Sequence, residues 1–214
     1  MTKTLATAAA TLALAFGLGL AAAQAQETAA PATTAEAPAI AVADYGIGAL
    51  DAPVQIVEYL SFTCPHCARF HTEVFPSLKA DYIDTGKVRL QYNEVYFDRY
   101  GLWAAMMARC GGEMRYFGIT DIVLETQSEW TASDDPNVVM ANLRKIGRTA
   151  GMDDATLDVC MKDAAMADAL YQHFDTNFTR DGVEGTPTFF INGAKHSNMT
   201  YDDLKALIDA ELAK

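Results

Sequence analysis

Four residues, Cys64-Pro65-His66-Cys67, constrain this chain more than any other stretch. An apolar, β-rich run comes just before them: Val54-Gln55-Ile56-Val57-Glu58-Tyr59-Leu60-Ser61-Phe62. A helical pattern follows over residues 68–84, with Cys67, Phe70, Val74, Leu78 and Tyr82 on one face. Strand, C-x-x-C, then helix places the first sulfur at a helix N-terminus. There the free backbone N–H groups and the positive end of the helix dipole stabilise a thiolate. The arrangement points to thiol–disulfide exchange.

Cys64 is therefore expected to be the attacking sulfur, and Cys67, one turn further in, the buried resolving thiol. Pro65 occupies a first-turn position, where its missing N–H is no loss. His66 lies between the cysteines and, when protonated, adds positive charge near the sulfur. A stabilised thiolate means a stabilised reduced form, so the disulfide is an oxidant. The competing reading is a structural disulfide or half of a metal site. A metal site needs further ligands, and His71, His173 and His196 form no ligand-spaced cluster. Metal ligation is therefore not expected.

Two further elements belong with the motif. Glu58 shares a strand face with Ile56 and Leu60, so it is expected to point into a packed region. A buried carboxyl has a raised pKa and can exchange protons with the resolving thiol. The alternative is a strand-edge carboxylate in water. Thr186-Pro187 precedes a second apolar run and is a candidate cis peptide. A cis bond turns the Thr186 backbone outward, to pair with an extended substrate by strand addition. Alone, a trans proline at a strand start is the better reading; the redox motif upstream shifts the expectation to cis.

The rest of the chain sets the context. Its 214 residues, half of them hydrophobic, suffice for one domain carrying an insertion. A net charge of −12 argues against nucleic acid as a partner. At the N-terminus, Lys3 is followed by an apolar stretch over residues 11–23 and by Ala23-Gln24-Ala25. This reads as a signal peptide over residues 1–25, cleaved after Ala25, with export to the periplasm. An uncleaved anchor is the other reading, though the stretch is short for a membrane span. Residues 26–43, rich in Ala, Pro and Thr, read as a disordered leader. Export places the cysteines where disulfides persist. Cys110 and Cys160 lie 50 positions apart. Bridged, they stabilise by roughly 4 kcal/mol on the chain-entropy model. Two buried free thiols are the alternative; a second redox pair lacks the C-x-x-C spacing.

Residues 88–96 alternate like a second strand, and Pro76 is expected to kink or interrupt the helix before it. Residues 98–180 are helical in pattern and too long for a loop, with helices expected at 102–109, 119–125, from Asp135-Pro136, at 153–161 and at 164–178. Strand character returns at residues 188–191, Asn192-Gly193 is a hairpin-turn signal, and residues 194–199 return. Thr200 caps a last helix over residues 201–212, with Asp203 at its third position. The expected fold class is α/β. Residues 44–97 and 181–214 form one sheet-bearing domain, and 98–180 is an inserted helical subdomain. Trp103, Met106, Met107 and Met114 are expected in the core rather than on a binding surface.

The segment Phe62-Thr63-Cys64-Pro65-His66-Cys67, the helical insertion and Gly185-Thr186-Pro187-Thr188-Phe189-Phe190-Ile191-Asn192-Gly193 together resemble the DsbA-like thiol:disulfide oxidoreductases. That resemblance implies a thioredoxin-like fold interrupted by a helical domain. It implies Cys64 as nucleophile, Cys67 as resolving cysteine, Glu58 as the buried acid and Pro187 as the cis-proline. It implies no organic cofactor, reduced exported proteins as substrates, and reoxidation by a DsbB-like, quinone-linked membrane oxidase. DsbA itself is the standing example of a depressed cysteine pKa in a strong oxidant. Two departures stand out. Thr186 occupies a position where the best-known oxidases carry an aliphatic residue, and threonine there also occurs in isomerases and reductases. Cys110 and Cys160 are absent from the best-known member. The isomerases generally use an N-terminal dimerisation domain; only the short leader precedes the first strand here, so a monomeric oxidase is expected over an isomerase or reductant. A metal-handling or chaperone-like binding protein on the same fold is the non-enzymatic alternative, against which the intact Cys64 and Cys67 pair argues.

Overall fold

The strand before the cysteine motif forms as β2 (Val54–Leu60) and takes the central place in a five-stranded sheet. The computed structural model describes residues 40–214. The expected signal peptide, its cleavage site and most of the leader lie outside the described residues. β2 pairs in parallel with β3 (Val88–Glu94) and antiparallel with β4 (Thr188–Ile191). β4 turns back into β5 (Ala194–Ser197). The far edge is β1 (Gly46–Ile47), antiparallel to β3. No expectation covered β1, because two residues carry no readable alternation and only the pairing with β3 holds them extended.

β2 alternates at its start, with Val54 and Ile56 buried and Gln55 exposed, and is buried on both faces from Glu58 onward. One face there lies in the main core with Leu60; the other sets Tyr59 against Val95 and Val183. A strand paired on both sides and covered on both faces reads as a nearly continuous apolar run. The helix after it, α1 (Pro65–Glu73), ends at Val74. Pro76 does interrupt the pattern. α2 (Phe75–Leu78) begins afresh with the proline in its first turn, and a π-helical turn, Lys79–Ile83, follows. A proline without an N–H is tolerated at a helix start and not in its interior.

Between β3 and β4 the chain forms α3 (Arg99–Cys110), α4 (Glu113–Glu125), α5 (Gln127–Trp130), α6 (Pro136–Thr149), α7 (Asp154–Met161) and α8 (Ala164–Arg180). Asp98, Asp135, Asp153 and Asp163 cap α3, α6, α7 and α8, each carboxylate accepting a backbone N–H of the first turn. α4 starts six residues before the expected position, at Glu113, just after Gly112 at φ +72°. It turns Tyr116, Ile119, Thr120, Val123 and Leu124 inward at helical spacing. That spacing leaves Met114 pointing away, fully exposed, so its expected place in the core is corrected. Met106 and Met107 are buried, and Trp103 is half-buried. Cys110, the last residue of α3, is bonded to Cys160 in the last turn of α7, with Cα atoms 5.7 Å apart.

The β4–β5 turn uses Asn192 and Gly193, both at positive φ, as a two-residue hairpin requires. β5 ends at Ser197, two residues earlier than expected. Thr200 then accepts from the Asp203 N–H to cap α9 (Tyr201–Leu212). No helix among the described residues is long and apolar enough to cross a membrane.

Candidate active site

Cys64 is the N-cap of α1, in extended conformation, and its own carbonyl accepts the Ala68 N–H. Its thiol is half-buried and reduced; that of Cys67 is reduced and fully buried. The Cys64 Sγ lies 3.4 Å from the Thr186 carbonyl oxygen, to which the thiol donates. The Thr186–Pro187 peptide is cis. The turn that ends β2 and the loop that begins β4 thus meet at one sulfur, because β2 and β4 are neighbours in the sheet.

The two thiols are pushed in opposite directions. Cys64 is held at about 5, first by the hydrogen bond that the Cys67 thiol gives its sulfur. Partial burial opposes this, while the Thr186 side chain and the backbone N–H groups of Cys67 and His66 assist. Cys67 is pushed far above the ordinary thiol range, chiefly by burial, then by its bond to Cys64 and by the neighbouring charges of Glu58 and Cys64. The Thr186 hydroxyl oxygen is buried and bonds nothing else, so it is free to face the Cys64 sulfur once that sulfur ionises.

Glu58 is buried on β2, opposite Tyr92 of β3 and Phe189 of β4. One of its carboxyl oxygens has no hydrogen-bond partner. Burial, and then the charge of Cys64, push its pKa up to about 8. The carboxyl is therefore protonated at neutral pH and close enough to both thiols to feel their charge. Pro65 and His66 are exposed. The His66 backbone N–H is among the donors that face the Cys64 sulfur.

The structure thus gathers Cys64, Cys67, Glu58, Thr186 and Pro187, and sets Cys110 and Cys160 apart as a pair of their own. Among the described residues, no group of three His, Cys, Asp or Glu side chains is placed to hold a metal ion. It also adds residues that the sequence reading passed over. Asp98, besides capping α3, accepts the Thr63 hydroxyl at 2.6 Å. Gln127 of α5 is buried, and its amide donates to the carbonyls of Phe62 at 2.8 Å and Cys64 at 3.0 Å. The cap signal at Asp98 was readable. Nothing local marks Gln127, whose partners lie more than sixty residues back in the chain.

Comparison with known proteins agrees with this geometry. A family model described as thioredoxin matches residues 41–210. The chain is 35% identical over 169 residues to a Rickettsia bellii protein named "putative protein-disulfide oxidoreductase", covering 78% of this chain and 63% of the relative. It is 26% identical over 177 residues to disulfide bond formation protein D of Bacillus subtilis, covering 78% of this chain and 76% of that one. Among solved structures, Wolbachia pipientis alpha-DsbA1 matches with a TM-score of 0.73 at 27% identity, over 81% of this chain and 92% of that one. The chain spans about three-fifths of the length of the Rickettsia relatives it matches.

Proposed function

This chain belongs to the thioredoxin family as one of its DsbA-like members, and we propose that it is a periplasmic dithiol oxidase that hands a Cys64–Cys67 disulfide to the reduced cysteines of exported proteins. The observation that carries this reading is the opposed push on the two thiols. A thiol held at about 5 is ionised at neutral pH and leaves readily; one pushed far up must be reprotonated when its bond breaks.

The reaction follows from those two properties. A substrate thiolate attacks the Cys64 sulfur, the more exposed member of the pair, and a mixed disulfide forms as the Cys64–Cys67 bond breaks. The electron pair goes to Cys67, whose thiolate takes the proton that Glu58 still carries at neutral pH. The substrate's second thiolate then attacks its own bonded sulfur, and Cys64 departs as a stabilised thiolate. Two substrate thiols are oxidised and the Cys64–Cys67 pair is reduced by two electrons. During this exchange the Thr186 backbone, at the cis peptide, pairs with the substrate strand beside the reacting sulfur. Reoxidation falls to a membrane oxidase of the DsbB type. No organic cofactor enters.

Titrating the full chain against glutathione buffers tests this directly, with the thiols of Cys64 and Cys67 counted by mass. A dithiol oxidant is expected above about −180 mV, on the oxidising side of glutathione. A potential at or below that of glutathione would assign the chain to reduction or isomerisation instead, with the threonine at position 186 as the first suspect.

A further inference from the structure

Three consecutive residues of the redox loop are each tied to the helical segment between β3 and β4. The Phe62 carbonyl accepts from the Gln127 amide, the Thr63 hydroxyl donates to Asp98, and the Cys64 carbonyl accepts from the same Gln127 amide. We propose that Gln127 is a positioning residue of the redox site, an amide supplied by the helical insertion that fixes the backbone on both sides of Thr63 and so aims the first N–H groups of α1 at the Cys64 sulfur. The inference rests on Cys64 being the reacting thiol.

Gln127 is poorly suited to a merely space-filling role. It is 8% exposed, and burying a primary amide is costly unless its hydrogens are bonded. Both Nε2 hydrogens are used, one on each carbonyl. Phe62 is itself buried, and the amide is the partner that its carbonyl finds. The Gln127 end is anchored in turn. Its own carbonyl accepts the Thr131 hydroxyl, and the next buried residue of α5, Trp130, donates its indole N–H to the Val123 carbonyl. α5 is thus a short post, held by these bonds, standing against the loop.

What the post controls is hydrogen-bond geometry at the sulfur. The N–H groups of His66 and Cys67 face Cys64 only while its peptide keeps the orientation of a helix N-cap. Such bonds weaken steeply with angle. The Cys64 carbonyl belongs to the peptide unit that starts the helix, and the Phe62 carbonyl to the one that ends the strand. Fixing both leaves Thr63 no freedom to rotate the sulfur away from its donors. Asp98 holds Thr63 itself, from the first turn of α3. The insertion therefore supplies part of the frame of a site whose reacting groups all lie outside it.

The test is Gln127→Met, which keeps length and apolar packing but removes both donors, in the full-length chain. The Cys64 titration is followed by thiolate absorbance in the reduced protein, and the potential is measured in glutathione buffers. The Cys64 midpoint is expected to rise by about one pH unit, a tenfold change that lowers the potential by about 30 mV. A lower melting temperature with midpoint and potential unchanged would show a purely structural glutamine and overturn the proposal. A wild-type midpoint near the ordinary thiol value would sink the oxidase reading instead, which separates the two failures. Should the variant not fold, the side-chain amide of Gln127 in the wild-type chain decides by nuclear magnetic resonance. Its signal is expected to titrate with the Cys64 midpoint, and a signal that stays put overturns the inference.

Discussion

The molecule holds two cysteine pairs, and they sit at opposite ends of their helices. Cys64 caps the start of α1, and Cys67 lies in its first turn. Cys110 is the last residue of α3, and Cys160 the next to last of α7. A helix start presents unpaired N–H groups and about half a positive charge; a helix end presents carbonyls and about half a negative charge. The first environment stabilises a thiolate and the second opposes one. Exposure does not separate the pairs, since Cys64, Cys110 and Cys160 are all partly buried. Sulfurs that leave poorly exchange slowly. On the proposed function, one residue type is reactive in one place and structural in the other, through the direction of the backbone around it.

The sharpest way to break that comparison is to remove each pair in turn. Cys64→Ser is expected to abolish oxidation of a reduced two-cysteine peptide, while Cys110→Ala with Cys160→Ala leaves the rate within about twofold. Loss of most turnover in the double variant would mean that the second pair takes part in exchange, and the helix-polarity argument would fail. Stability is expected to respond with opposite signs. The double variant opens a 50-residue loop and loses up to roughly 4 kcal/mol in urea denaturation. Reducing Cys64–Cys67 is expected to stabilise the chain, because the thiolate favours the folded, reduced form. That gain belongs to a depressed pKa. It is complete above the unfolded thiol value of about 8.5, and is lost as pH falls through about 5.

Much of this contrast was legible from residue types alone, and the reason is locality. Cys64-Pro65-His66-Cys67 announces a helix start; Asp135, Asp153 and Thr200 announce caps; Asn192-Gly193 announces a turn. Each signal acts over three or four residues, the reach of a capping bond or a β-turn. β1, two residues long and held by its partner strand, gives no such signal. Nor do the partners of Gln127, which depend on how a helix some sixty residues downstream packs against the loop. His66 shows a subtler limit. The sequence draws the eye to its imidazole, while the contribution of its backbone N–H to the Cys64 sulfur follows only from Cys64 standing at the N-cap of α1.

Glu58 offers the smallest effect and the finest probe of what separates the pairs, since its buried carboxyl feels the charge of both Cys64 and Cys67. In the folded chain its carboxyl is held at about 8, against an ordinary value of 4.5, and burial is the larger cause. Below the ordinary value both folded and unfolded chains keep the proton, and the group does not affect stability. From there up to about 8 the unfolded chain releases the proton and the folded chain does not. Each pH unit in that window costs the fold about 1.4 kcal/mol. At pH 7 the cost is about 3–4 kcal/mol, and Glu58→Gln removes it. The buried amide takes back about 1–3 kcal/mol through its own unmet hydrogen bonds. The variant is therefore expected to be less stable than the parent at pH 4 and to gain on it steadily toward pH 8, in urea titrations of the reduced form, in which the Cys64 charge helps to hold the proton. It is also expected to slow the exchange step in which Cys67 needs a proton. A stability difference independent of pH would show that Glu58 does not hold its proton in the folded chain, and the proton donor to Cys67 would have to be water.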